Sequence, residues 1–276
     1  MLKYLLAGCV LFFSLAAYGQ DSQLIDASLY GEADKVKALL QSGYSATEPG
    51  PKGDLPIHAA AFGGNIQVLQ LLLDKGANVN APNKRGMTPL FYAAANGKTE
   101  AVSWLLQHGA DVKARADNGA SALFPAVSGG HADMVALLLE KGGDPSETDS
   151  GGVSLAHAAT AAGQVGVLKL LIQHGAAVNL KEKEYGATPL HWAAFHKQDE
   201  AGMLLINAGA DVSATDKFGA TPLHSAAMAD DLVLTKALIA HGANPVAKTN
   251  NGMTPLDFAR KAKSRAVTTY LEALGS

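Results

Sequence analysis

The sequence predicts an all-α repeat solenoid, and three observations carry that prediction. A phrase of the form T-P-L-H-x-A-A begins at Ser22, Leu55, Thr88, Ser121, Ser154, Thr188, Thr221 and Thr254, so the spacing is 33 residues at every step but one, which is 34. Glycines at 43, 76, 109, 142, 175, 209 and 242 keep the same beat. Finally, a unit of this size cannot bury both of its helices alone, so each copy must stack on its neighbours.

Each element of a copy has a local cause, shown by residues 87–119, "MTPLFYAAANGKTEAVSWLLQHGADVKARADNG". Thr88 is placed to cap a helix, its hydroxyl accepting from an orphan backbone N–H. Pro89 occupies the first helical position, where its missing donor costs nothing. Leu90, Ala93 and Ala94 form a thin apolar stripe that lets a neighbouring helix approach closely. Gly97 permits a turn into a second helix, which carries Val102, Leu105 and Leu106 on one face. Gly109 ends that helix with positive φ, and a hairpin-like loop runs on to the next copy.

The motif resembles the ankyrin family, G-x-T-P-L-H-x-A-A followed by G-x-x-x-x-V-x-x-L-L and G-A-D-V-N, over residues 22–276. That resemblance implies stacked helix-turn-helix units with hairpin-like loops, and a protein that binds other proteins through loop tips and a concave inner-helix face. The end copies are modified as caps. The first lacks T-P-L-H and carries Glu32, Asp34, Lys35 and Lys37; the last has Asp257 in the His place and a basic run from Arg260 to Arg265. The fourth copy has Pro125 inside its inner helix, where the lost donor is expected to disturb it. The extra residue of the 34-residue step falls within 179–186 and is expected to lengthen that loop.

Residues 1–19 form a separate segment. Lys3, the apolar run from Tyr4 to Ala17 and the small residues Ala17 and Gly19 have the order of a secretory signal peptide. The run is shorter than the roughly 20 residues needed to span a bilayer. Cleavage after Gly19 would leave residues 20–276 as the repeat domain, starting at Gln20 and located in the periplasm or secreted. Leu6-Ala7-Gly8-Cys9 resembles a lipoprotein box, but most of the apolar run follows it. Cys9 is the only cysteine, so the cleaved chain would hold together by packing without disulfides.

Composition and motifs exclude several functions. A net charge of −3, with 17 % charged residues, argues against a nucleic-acid binder. Of nine histidines, His58, His157, His191 and His224 share one repeat position, and His108, His174 and His241 another. Stacked helices separate equivalent atoms by about 8–10 Å, whereas zinc holds nitrogens at about 2.0–2.1 Å. The first set therefore reads as structural hydrogen-bonding residues and the second as helix-end cations. His131 and His196 lack ligand partners at nearby spacings. No nucleophile elbow, phosphate loop or zinc-protease motif occurs, and Asp230-Asp231 reads as a solvated turn. The expectation is a non-enzyme without metal or cofactor, monomeric and free of the membrane once the leader is removed.

Function is then expected where copies differ without the frame requiring it. Tyr185, Trp192, Phe195 and Phe218 fall close together, with His196 beside Phe195 and Met228 just beyond; Phe62 and Tyr92 form a smaller group. Exposed aromatic clusters mark interaction sites, so these eight residues are the candidate protein-binding set. The alternative for Trp192 is that it folds over the alanines as packing; clustering favours exposure. Trp104 reads instead as a core residue of an outer helix. Lys197 and Asp230 replace turn glycines.

The partner expected is a folded protein, an extracytoplasmic enzyme that this chain restrains. Exported bacterial proteins of similar kind include inhibitors that shield a cell from its own peptidoglycan-cutting enzymes and proteins that support oxidative-stress defence. A structural or assembly scaffold, and a secreted effector that binds a host protein, are the other readings.

Overall fold

The computed structural model describes residues 23–274. The expected leader and a mature start at Gln20 lie outside the described residues. Sixteen helices and one isolated β-bridge, Thr148 to Ser154, account for the regular structure there, and they fall into two compact units divided between Asp144 and Pro145.

In the first unit the helices pair as α1 (Gln23–Tyr30) with α2 (Ala33–Gln41), α3 (Pro56–Gly63) with α4 (Ile66–Asp74), α5 (Pro89–Ala95) with α6 (Thr99–Gln107), and α7 (Leu123–Ser128) with α8 (Ala132–Glu140). The second unit pairs α9 (Leu155–Ala161) with α10 (Val165–Gln173), α11 (Pro189–Phe195) with α12 (Asp199–Asn207), α13 (Pro222–Ala229) with α14 (Leu232–Ala240), and α15 (Pro255–Ala262) with α16 (Arg265–Leu274). Within each unit inner helices pack on inner helices and outer on outer. This is the layering of an all-α repeat solenoid.

The local causes read from the sequence operate. The Thr88 hydroxyl accepts from the Phe91 amide at the start of α5, with Pro89 directly inside the helix. Leu190, Ala193 and Ala194 of α11 are buried, as are Leu223, Ala226 and Ala227 of α13. Close approach is also seen at Gly202 in α12, where a Cβ would lie 2.7 Å from the Leu234 Cδ1 of α14, so a larger residue would require the leucine side chain to shift.

The extra residue lengthens its loop through a change of turn. In neighbouring copies the tip closes with a three-residue step, Gly86 N–H to Asn83 O and Gly219 N–H to Asp216 O. At residues 182–186 the bond is Gly186 N–H to Glu182 O, one residue longer. The longer Glu182 side chain matches it, accepting from the amides of Glu184, Tyr185 and Ala187.

Three expectations need correction. Pro125 does not break its helix, because α7 starts at Leu123 and the proline lies in the first turn, where no intrahelical acceptor awaits its N–H; the disturbance is confined to the start, which lacks a side-chain cap, and to a length of six residues. Trp104 is half-buried rather than a core residue, with its ring stacked on His108 at 3.7 Å. Asp231 is no solvated turn residue: it is 4 % exposed and caps α14 by accepting from the Leu234 amide.

Candidate protein-binding surface

The histidines of the repeat phrase set the frame on which the candidate residues sit. In His191, Nδ1 accepts from the Thr188 amide, and Nε2–H donates to the Ala220 carbonyl of the next copy at 3.0 Å. His58 reaches Ala81, His157 reaches Ala187, and His224 reaches Met253 in the same way. Each imidazole thus ties the start of its own helix to the loop that leads into the following copy. Because Nδ1 must stay unprotonated to accept, and the ring is buried, the charged form is disfavoured. Burial lowers the pKa of all four, that of His157 to about 4.

Rings from the following copy cover three of these imidazoles. Tyr92 lies 5.2 Å from His58, Trp192 5.0 Å from His157, and Phe258 5.1 Å from His224. This geometry corrects the expected exposure of two candidates. Trp192 is 7 % exposed and Tyr92 fully buried, because a large ring at the fifth place of the phrase reaches back over the neighbouring imidazole. Tyr92 goes further: its hydroxyl donates to Asp54 Oδ1, which also accepts from Asn83 Nδ2 at 2.7 Å. Burial, followed by the hydrogen bond to Asp54, pushes its phenol pKa up.

The remaining candidates divide. Phe218 is 59 % exposed and Met228 39 %. Phe195, His196, Tyr185 and Phe62 are half-buried. Phe195 and Met228 occupy the same place on adjacent helices α11 and α13, which puts them about 8–10 Å apart. Phe195 meets His196 edge-on at 5.1 Å, and burial lowers the His196 pKa. At the loop tips Tyr185 and Phe218 lie 6.5 Å apart. Phe62 is in the other unit, beside Tyr92 at 6.5 Å. The second unit therefore presents two apolar features, a Phe195–Met228 ridge on its inner helices and a Tyr185–Phe218 pair at its tips.

A family model for ankyrin repeats matches residues 24–116, 80–149, 123–216 and 203–275, nearly all of the described chain. The chain belongs to the ankyrin-repeat family. Ankyrin repeats are a protein-binding module. No curated protein matches the chain. Among the described residues, no group of three or more His, Cys, Asp or Glu is placed to hold a metal ion, and no helix is long and apolar enough to cross a membrane.

The sequence reading of this ankyrin chain missed a carboxyl pair at the turns of the second unit. Asp231 at the start of α14 and Asp199 at the start of α12 lie close enough for the Asp199 charge to disfavour ionisation of Asp231. Burial pushes the Asp231 pKa up to about 6; Asp199 adds to that, and the Leu234 amide and Lys197 oppose it. Asp199 and Asp231 lie 32 residues apart in the sequence, one short of the repeat. No spacing rule pairs them.

Proposed function

We propose that this ankyrin chain is an exported module that binds a folded extracytoplasmic enzyme and restrains it by covering its active-site cleft. The observation that carries the reading is the placement of Phe195 and Met228. Both stand at positions the repeat frame does not require, side by side on helices that Trp192, Ala193 and Ala226 hold rigidly from beneath. The Phe195 ring loses little freedom on docking and makes a strong anchor, while the flexible Met228 thioether can adapt to the partner's surface. The leader-like first 19 residues support export.

Capture from native extract with tandem mass spectrometry tests the reading. An anchor of this type is worth about 2 kcal/mol or more, roughly thirtyfold in affinity. Phe195→Ala with Met228→Ala is expected to release the captured enzyme and restore its activity while leaving the helical signal unchanged. Capture of a partner whose activity is unaltered would remove the restraining role. An intact mass starting at Met1, or a lipid on Cys9, would remove export as a soluble protein.

A further inference from the structure

Beside the Tyr185–Phe218 pair, the loop tips of the second unit form an open groove of about 560 Å³, lined by Lys181, Lys183 and Lys217 together with Glu182 and Asp216. Its charges are not arranged evenly. Glu182 is 3 % exposed, and its carboxylate is turned inward onto the amides of Glu184, Tyr185 and Ala187. Asp216 Oδ1 likewise accepts from the amides of Phe218 and Ala220. The Glu184 carboxylate beside the Tyr185 hydroxyl raises the phenol's pKa. The Glu182 carboxylate and Asp216 Oδ1 are thus turned toward the loop backbone, though both groups keep their negative charge.

The ammonium groups lie on the outside. Lys183 donates to the Ser150 carbonyl at 3.1 Å, Lys217 to the Lys183 carbonyl, and Lys181 to the Thr215 carbonyl. An ammonium has three donors, so each keeps two for a ligand. The result is a row of outward ammonium groups over carboxylates held inward against backbone amides, flanked by an exposed phenyl and a half-buried phenol. The tip pairs Asp117–Asn118 and Asn250–Asn251 carry neither feature, and the basic pair Lys84–Arg85 carries no aromatic ring. The longer turn at 182–186 places Tyr185 at the tip where shorter copies carry residues such as Arg85.

We propose that this row takes an acidic segment of the partner protein, its carboxylates on Lys181, Lys183 and Lys217 and an apolar side chain against Tyr185 and Phe218. The proposal rests on the protein-binding reading above and specifies the chemistry of a second contact. Exposed ion pairs are individually weak and screened by salt, so the aromatic pair is needed to retain the segment and the lysines select its sign. Three lysines neutralise too few phosphates to hold a nucleic acid on an otherwise acidic protein.

The test is amide chemical-shift mapping on the isotope-labelled chain. The probes are a short peptide of Asp and Glu interrupted by leucines, its Asn/Gln counterpart, inorganic phosphate and a short oligothymidylate. The acidic peptide is expected to move amides in residues 181–186 and 215–219. Its affinity is expected to fall about tenfold or more in Lys183→Glu/Lys217→Glu and at high salt, and severalfold in Phe218→Ala. Lys217→Gln, which leaves the turn untouched, serves if the double variant melts early. No shift at these loops, or equal binding of the Asn/Gln peptide, would overturn the proposal. Phosphate or oligothymidylate binding as tightly as the peptide would also overturn it, leaving a general anion site. Loss of the peptide result, with partner binding still dependent on Phe195 and Met228, would end this proposal and leave the proposed function standing.

Discussion

The indole of Trp192 stands edge-on to the imidazole of His157, ring centres 5.0 Å apart and planes at 70°. The two residues belong to successive copies, so the contact joins α9 to α11 across the stack. An aromatic edge against a neutral ring face is favourable beyond the area it buries; the edge-on arrangement recurs at His224 with Phe258, and His58 meets Tyr92 in a tilted one. Trp192 thus supports the surface beside it.

Trp192→Ala should behave as a core truncation, costing about 3–5 kcal/mol. Thermal and urea unfolding check this, with Phe195→Ala as the control at a half-buried site, where the loss should be far smaller. A Trp192→Ala protein that melts like the parent would show that the ring is not part of the packing.

The four phrase histidines predict loss of stability in mild acid. Their folded pKa values lie below the unfolded value of about 6.5, so they must be neutral to fit. Their contribution is complete above the unfolded pKa and is lost as pH falls through the folded one, which for His157 is about 4. Within that window each contributes a slope of roughly 1.4 kcal/mol per pH unit. His191 is the neighbouring titratable group, and any charge it gains on acidification further opposes protonation of His157. Urea midpoints measured from pH 7 down to pH 4 should fall, and His157→Gln should reduce the slope.

Asp231 predicts the opposite sign. Its folded pKa of about 6 lies above the unfolded value, so its contribution is greatest below about pH 4 and is lost as pH rises through 6. The groups facing it are Asp199 and Lys197. Asp231→Asn keeps an acceptor for the Leu234 amide and removes the charge that Asp199 disfavours. It should raise the melting temperature at pH 7.5 and converge with the parent near pH 4. An equal shift at both pH values would mean that ionisation of Asp231 is not the cause.

Three residues other than glycine hold left-handed backbone at the inter-helix turns: Lys197, Asp230 and Lys263, with φ of 54°, 55° and 62°. Such a conformation costs about 1–2 kcal/mol outside glycine. Lys263→Gly should therefore stabilise the last copy by up to about 1 kcal/mol, part of the relief being offset by a more flexible unfolded chain. Asp230→Gly should gain less or lose stability, because Asp230 Oδ1 accepts from the Val267 amide at 3.1 Å. Paired melting curves of the two variants separate strain from bonding.

The repeat frame was legible in the sequence because each framing residue answers a need inside its own copy. Thr88 caps the helix that Pro89 opens, and His191 satisfies the amide of Thr188 three residues before it. Local causes of this kind leave a period, and the helices, the turns and the extra loop residue followed from it. Phe218 and Met228 were also legible as exposed apolar residues, since nothing in the frame calls for them.

What the tertiary structure decided is which variable side chains are covered. Trp192, Ala158 and Ser225 hold the same place in the phrase, yet Trp192 is buried while Ala158 and Ser225 are half-buried. Ala59 at the same place is fully buried and Phe258 half-buried, so coverage there is set by the neighbouring copies as well as by the side chain, and no local pattern records it. The Asp199–Asp231 pair and the inward-turned Glu182 were hidden for the same reason. Burial and charge state are set by neighbours that only stacking brings together, whereas the period is set by bonds each copy makes within itself.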